Sequence, residues 1–255
     1  MASSYRQQFE GEERASAYDE TQYASGSYGD TLWQIEQRQL ETVVSSMRST
    51  HSRIDYLDFA TGTGRILRFM EGKVDSARGI EISYAMAEKA RHGLVDGEVL
   101  CTDITDPDAP IEGQYDLITA FRFVLNAEPS LRHAGLGALA RRLRNDESLL
   151  VFNNHGNLLS LKALVHPLRV VRRRHDNWKT SGNLMTDRQI RELTKANGLE
   201  IISVMGCGIL TGHVAELLPQ KVATVLESVA ARYSLVSRFG VNQMYVTRLA
   251  AKRHG

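Results

Sequence analysis

Residues 54–66, Ile-Asp-Tyr-Leu-Asp-Phe-Ala-Thr-Gly-Thr-Gly-Arg-Ile, read as a strand ending on Asp58, a loop of small residues and the first turn of a helix. Glycine at 62 and 64 permits backbone angles closed to other residues and lets a ligand lie against the main chain. The helix start offers unpaired N–H groups to an anion. The stretch is a nucleotide-binding turn. No phosphate-binding lysine follows it, and Leu67 stands where a third glycine belongs, so neither the P-loop pattern nor the full dinucleotide fingerprint is present. What remains is the spacing Asp58, Ala60, Gly62, Gly64.

Outward from this loop, strand and helix signals alternate: strand 54–59 and helix 64–70, strand 77–82 and helix 83–92, strand 98–101, strand 115–121 and helix 131–143, strand 148–152. Such alternation requires crossover connections and gives a parallel sheet. Upstream, Leu32, Ile35, Leu40, Val43, Val44 and Met47 predict a helix over 31–49 with Asp30 or Thr31 as N-cap. Residues 1–30 are polar, with six acids against two arginines, and predict no regular core element. Downstream come a long segment over 153–187, a helix near 187–196, a strand near 199–204, a helix near 214–231 and a last strand near 242–249.

Three later stretches carry marks of their own. Gly79-Ile80-Glu81-Ile82-Ser83 ends a strand on a carboxylate able to accept both hydroxyls of a ribose. NAD enzymes place an acid there too, so this mark favours an adenosine cofactor without choosing one. A solvated strand-end glutamate is the plain alternative, and Ser83 reads as an N-cap. Cys101-Thr102-Asp103-Ile104 follows the third strand, where Asp103 also suits a turn before Asp106-Pro107. The fourth mark runs from Gln114 to Phe123. Its Asp116 starts the strand and reads as structural, whereas Phe121 and Arg122 stand at the carboxyl end, where open sheets bind ligands.

In their order, these marks resemble those of the class I S-adenosylmethionine-dependent methyltransferases, whose first motif is an acid followed by three small or glycine positions two apart. Ala60 replaces the commonest first glycine. The resemblance covers 54–123 and continues through the fifth strand. It implies a doubly wound α/β fold with helices on both faces of a seven-stranded, mostly parallel sheet whose last strand is antiparallel. It also implies an N-terminal helical arm and an insertion after strand five. One domain then spans 1–255: arm and helix 1–50, cofactor-binding half 51–155, insertion and substrate lid 156–185, and the rest of the sheet 186–255.

The implied cofactor is S-adenosyl-L-methionine. Its methionine end falls to the loop of Asp58, Ala60, Thr61, Gly62, Gly64 and Arg65, its ribose to Glu81, and its adenine to Asp103 and Ile104. Ile82, Met86 and Phe121 complete the cofactor set, and Tyr28 joins it from an arm whose Tyr18 and Tyr23 could also help close the site. A sulfonium donor is already activated, so transfer needs nucleophile, methyl carbon and sulfur held on one line about 3 Å apart, without metal or covalent intermediate.

The acceptor is less defined. Strand five leads into Phe152-Asn153-Asn154-His155-Gly156-Asn157, polar residues at the ligand-binding edge. A hydroxyl must lose its proton as the methyl arrives, and imidazole titrates near neutrality, so His155 is the candidate general base, with Arg122 beside it in the catalytic set. His133, His166 and His175 are not tied to that edge. A nitrogen or thiol acceptor stays open.

Leu158, Leu161, Leu164, Leu168 and Val171 form one helical stripe, and six Lys or Arg against Asp176 alone lie between Lys162 and Lys179. Residues 158–179 therefore suit an anionic membrane face or a phosphate-bearing lipid carrier, or a lid whose arginines pair with the acidic arm. Nucleic acid is disfavoured: no aromatic residues interleave with the arginines, and Trp178 stands alone.

Composition sets the outer bounds. A chain of 255 residues suits one large domain, and a net charge of +1 supplies no basic field for nucleic acid. Cys101 and Cys207 lack zinc or redox-pair spacing, no apolar run reaches spanning length, and no secretory leader is recognisable. The expectation is a cytoplasmic enzyme, peripheral at most to the inner membrane face, methylating oxygen on a glycan, lipid-linked intermediate or small secondary metabolite. N-methylation of a small molecule and a non-catalytic S-adenosylmethionine-binding module are the alternatives. A nicotinamide-dependent oxidoreductase is disfavoured by Leu67 and Asp103. Oligomeric state is not legible.

Overall fold

The computed structural model describes residues 26–106, 108–161, 163 and 183–251. Seven strands form one sheet: β1 Asp55–Phe59, β2 Ser76–Glu81, β3 Glu98–Cys101, β4 Leu117–Ala120, β5 Leu149–Asn154, β6 Leu199–Cys207 and β7 Asn242–Leu249. Their spatial order is β3-β2-β1-β4-β5-β7-β6. The five strands from β3 to β5 are parallel, and β7 runs antiparallel to both β5 and β6. The winding reverses between β1 and β4, which opens a crevice at their carboxyl ends.

Central strands are apolar on both sides because helices cover both faces. One face packs under α1 (Tyr28–Arg48), α2 (Arg65–Glu71) and α3 (Tyr84–His92), through Leu40, Ile66, Met70 and Ala87 against Tyr56, Leu117 and Val151. The other packs under α4 (Pro129–Ala140) and α5 (Asp187–Ala196), through Leu136, Leu139, Ile190 and Leu193 against Ile118, Leu150 and Phe152. The chain closes with α6 (Gly212–Glu216), α7 (Gln220–Arg232) and α8 (Ser234–Ser237) before β7.

Three expectations need correction. Helix α1 starts at Tyr28 with Ser27 as N-cap, not at Asp30 or Thr31. Ser27 Oγ accepts the Asp30 N–H at 3.1 Å while Asp30 Oδ2 accepts the N–H of Gly26, just before the cap, at 3.1 Å, and the two bonds anchor the helix a turn earlier. The single helix expected near 214–231 is two, because Pro219 lacks an N–H and blocks helical geometry in the residue before it. Asn153 and Asn154, expected in the loop after β5, belong to the strand and are fully buried.

The insertion is tied at its base. Leu158 N–H donates to Met185 O at 3.1 Å and Met185 N–H to Gly156 O at 3.0 Å, so the chain leaves and returns at one point beside β5. Among the described residues no helix is long and apolar enough to cross a membrane.

Candidate functional site

The loop after β1 takes left-handed angles at Ala60 (φ 54°), Gly62 (φ 58°) and Gly64 (φ 87°). A side chain added at Gly62 would project into open space, whereas one at Gly64 would lie 3.0 Å from the Ala90 Cβ. Gly62 therefore clears room for a ligand, and Gly64 turns the chain into α2 and packs on α3. Thr61 ties the loop down: its Oγ1 donates to Asp58 O at 2.8 Å, and its N–H to Ile80 O at 3.1 Å.

Two carboxylates flank the loop. Glu81 Oε2 accepts the Gly62 N–H at 2.8 Å and Oε1 accepts the Ser83 N–H at 2.9 Å. Burial raises its pKa, and these two N–H groups oppose the rise. Asp58 Oδ1 accepts from Thr119 Oγ1 at 2.6 Å, which lies 2.6 Å from Tyr56 Oη. Asp58 Oδ2 is buried without a partner among the described residues. Its pKa is pushed up to about 7, chiefly by burial, against the Thr119 bond and the charge of Arg65. A buried, unsatisfied carboxylate oxygen facing a cleft suits a cationic ligand group.

The cleft above this loop is open to solvent and spans about 1040 Å³ including the solvent at its mouth. Asp58, Ala60, Thr61, Gly62 and Arg65 form its floor; Glu81, Ile82, Met86, Asp103 and Ile104 form one wall; Phe121 and Arg122 form the other. Ile82, 41 % exposed at a strand end, offers an apolar face suited to a purine. Asp103 Oδ1 also accepts from Thr105 N at 2.9 Å and Thr105 Oγ1 at 2.7 Å, the turn-capping use noted for an aspartate here.

Arg122 has a left-handed φ of 62°, and its N–H donates to Asn153 Oδ1 at 2.7 Å. Such a conformation costs a residue with a side chain about 1–2 kcal/mol and needs support of this kind. His155 is half-buried and is not part of the cleft wall. Its Nδ1 has no partner among the described residues, and burial, then the charge of Arg122, holds its pKa well below the ordinary value. The ring is neutral at pH 7.

With His155, two further expected site residues lie outside the cleft lining. Gly64 acts from beneath the loop. Tyr28 is a correction: its Oη lies 2.6 Å from Glu227 Oε1 and 2.8 Å from Leu210 O, outside the cleft, because Ser27 starts α1 beside α6 and α7. Tyr18, Tyr23 and most of the basic segment 158–179 lie outside the described residues.

Trp33 and Glu36, which the sequence reading passed over, hold Arg65 of the cleft. The Arg65 guanidinium stacks 4.1 Å from the Trp33 ring, and its Nη1 lies 3.6 Å from Glu36 Oε2. Glu36 is 1 % exposed, and its Oε1 accepts from Asn242 and, at 3.5 Å, from Asn153. A glutamate inside the stripe Ile35, Gln39, Leu40, Val43 was the available signal, since an acid on a core face requires a buried partner. Thr105 and Asn126 also line the cleft, and no sequence pattern marked them.

Residues 32–204 match the family described as methyltransferase domain. No curated protein sequence matches the chain. Among solved structures, magnesium protoporphyrin IX methyltransferase (ChlM) from Synechocystis PCC 6803 with bound SAH superposes with a TM-score of 0.60 at 13% identity, covering 92% of this chain and 95% of that one. An S-adenosylmethionine-dependent methyltransferase from Clostridium acetobutylicum ATCC 824 superposes at 0.58 and 15%, covering 94% and 98%. The [4+2]-cyclase SpnF superposes at 0.60 and 16%, covering 98% of each chain. At such identities these structures share the fold, while the match over 32–204 assigns the family. The chemistry of the cleft fits the donor that family uses: its lining combines the Glu81 carboxylate, apolar surface at Ile82, Met86 and Ile104, and Asp58 with an unsatisfied buried oxygen. The chain thus belongs to the methyltransferase domain family, as a class I Rossmann-like methyltransferase with S-adenosylmethionine as its cofactor.

Proposed function

We propose that the protein transfers a methyl group to an oxygen atom of a small molecule, a glycan or a lipid-linked intermediate, with His155 as proton acceptor and Arg122 as electrostatic support. The observation that carries the choice of oxygen is charge: Arg122 lines the cleft, beside a neutral His155. A cationic amine approaching that guanidinium meets like charge. A hydroxyl that sheds its proton gains negative charge, which the guanidinium stabilises.

When bound, the donor supplies a methyl group already activated on a sulfonium. The loop from Asp58 to Arg65 then orients the methionine end, Glu81 holds the ribose, and Asp103 with Ile104 fixes the adenine. His155 accepts a proton against the charge of Arg122, which makes it a weak base. It matches an acceptor whose hydroxyl is itself acidic, as in a phenol, better than a simple alcohol. Cytoplasmic operation and a lid role for 156–185 belong to the same proposal.

Incubation with methyl-labelled donor and separated acceptor pools tests it. Label on oxygen is expected; label only on nitrogen overturns the choice of acceptor atom, and no product in any pool overturns transfer. His155→Ala is expected to keep S-adenosylhomocysteine affinity and lose turnover, and unchanged turnover removes His155 from the mechanism.

A further inference from the structure

Helix α7 is amphipathic in the wrong sense for a globular surface. Its inner face is small and polar: Thr224 Oγ1 lies 3.2 Å from Thr31 Oγ1, and Ser228 Oγ accepts from Arg38 at 3.1 Å. Glu227, buried on that face, accepts the N–H groups of Gly208, Ile209 and Leu210 at 3.0, 3.1 and 2.7 Å. The outer face carries Val222, Val225, Leu226, Val229 and Tyr233, at the i, i+3, i+4, i+7, i+11 spacing of a single stripe, each between 44% and 62% exposed. Leu235, Val236 and Phe239 extend it beyond the helix, all exposed. Leu161, also exposed, joins it by donating its N–H to Phe239 O at 3.2 Å.

Charge identifies the occupant. Lys221, Arg232 and Arg238 flank the stripe and are exposed, and between 217 and 240 the one acid is the buried Glu227. A second copy docked through this face about a two-fold axis would set these cations against one another with no facing acid. A bilayer with anionic headgroups offers the reverse: acyl chains for the valines and leucines, and negative charge for the three cations.

We propose that the outer face of α7, continued through α8 to Phe239, is a docking surface for an anionic lipid bilayer. Helix α7 rests on α1, whose Trp33 and Glu36 hold Arg65 of the cleft, so the docking face and the cleft share one supporting helix. The proposal is independent of which atom accepts the methyl group.

Flotation of the full chain with vesicles tests it. Vesicles of phosphatidylcholine with about one quarter phosphatidylglycerol are expected to carry at least about five-fold more protein than pure phosphatidylcholine, the gain falling in 0.5 M salt, as screening over roughly a Debye length requires. Val225→Glu with Val229→Glu is expected to abolish flotation while keeping the melting temperature and S-adenosylhomocysteine affinity, since both positions are exposed. Replacing Lys221, Arg232 and Arg238 by Gln is expected to remove the preference for anionic vesicles. Absence of flotation, or undiminished flotation of the double variant, overturns the proposal. So does a dimer in sedimentation equilibrium that the double variant dissociates and that vesicles do not capture.

Discussion

The Glu81 carboxylate reaches back over the cofactor loop and accepts the Gly62 N–H at 2.8 Å. A strand-end acid thereby fixes the loop it faces while presenting oxygen to the cleft. Glu81→Gln replaces one acceptor oxygen by an amide donor, so a backbone N–H and a ribose hydroxyl compete for what remains. Hydrogen bonds to a charged acceptor contribute about 1.5–3 kcal/mol, and the loss of one predicts binding of S-adenosylhomocysteine weaker by roughly ten- to one-hundred-fold. Isothermal titration checks this, and unchanged affinity would remove Glu81 from the ribose site.

Asp58 predicts a pH dependence. Burial pushes its pKa up to about 7, so below that pH the carboxyl in the free protein is mostly neutral. The ammonium of S-adenosylhomocysteine favours the ionised form, and affinity is expected to rise from pH 6 to pH 8. Stability of the ligand-free protein runs the other way. With a folded pKa near 7 against about 4 for the unfolded chain, the native state binds the extra proton, so this contribution is lost as pH climbs through that window and is constant above it. Asp58→Asn is expected to flatten both profiles; titrations and thermal melts at three pH values decide.

Ala60 holds a left-handed φ of 54° where relatives of this loop commonly use glycine. That angle costs an alanine about 1–2 kcal/mol, of which the greater freedom of an unfolded glycine takes back roughly 0.4–1 kcal/mol. Ala60→Gly is therefore expected to raise the melting temperature by about 2 °C and to keep cofactor binding. A lower melting temperature would show that the alanine methyl contributes packing that outweighs the backbone strain.

The same contrast between local and distant causes explains what the sequence disclosed. Asp58, Gly62, Glu81 and Asp103 sit at strand ends, where their spacing from the preceding apolar run fixes their position, and all four positions reached one cleft or its floor. The seven strands, their double winding and the antiparallel last strand came with the family resemblance. Glu36 was passed over because its partners are remote: Asn153 is 117 positions away and Asn242 206. His155 shows the limit of position alone, since adjacency to β5 placed it at the right edge of the sheet but could not tell that it is absent from the cleft lining and feels the charge of Arg122. Ser27, three residues before Asp30, is also a residue type that caps helices, and the structure uses it in place of Asp30 or Thr31.

Tyr28 tests the clearest difference between the two readings. Its Oη lies 2.6 Å from Glu227 Oε1, 199 positions along the chain, and burial with the Glu227 charge raises its pKa further above the ordinary range. Phenylalanine there removes one donor from a carboxylate that keeps three backbone N–H groups. The cost falls at the lower end for a charged hydrogen bond, about 1.5 kcal/mol, or a drop of roughly 3–6 °C in melting temperature. Because the ring lies outside the cleft, S-adenosylhomocysteine affinity is expected to stay within two-fold. The pairing of lower stability with intact binding distinguishes an anchor between α1 and α7 from a cofactor ligand. A Tyr28→Phe protein of normal stability and weakened binding would return Tyr28 to the site.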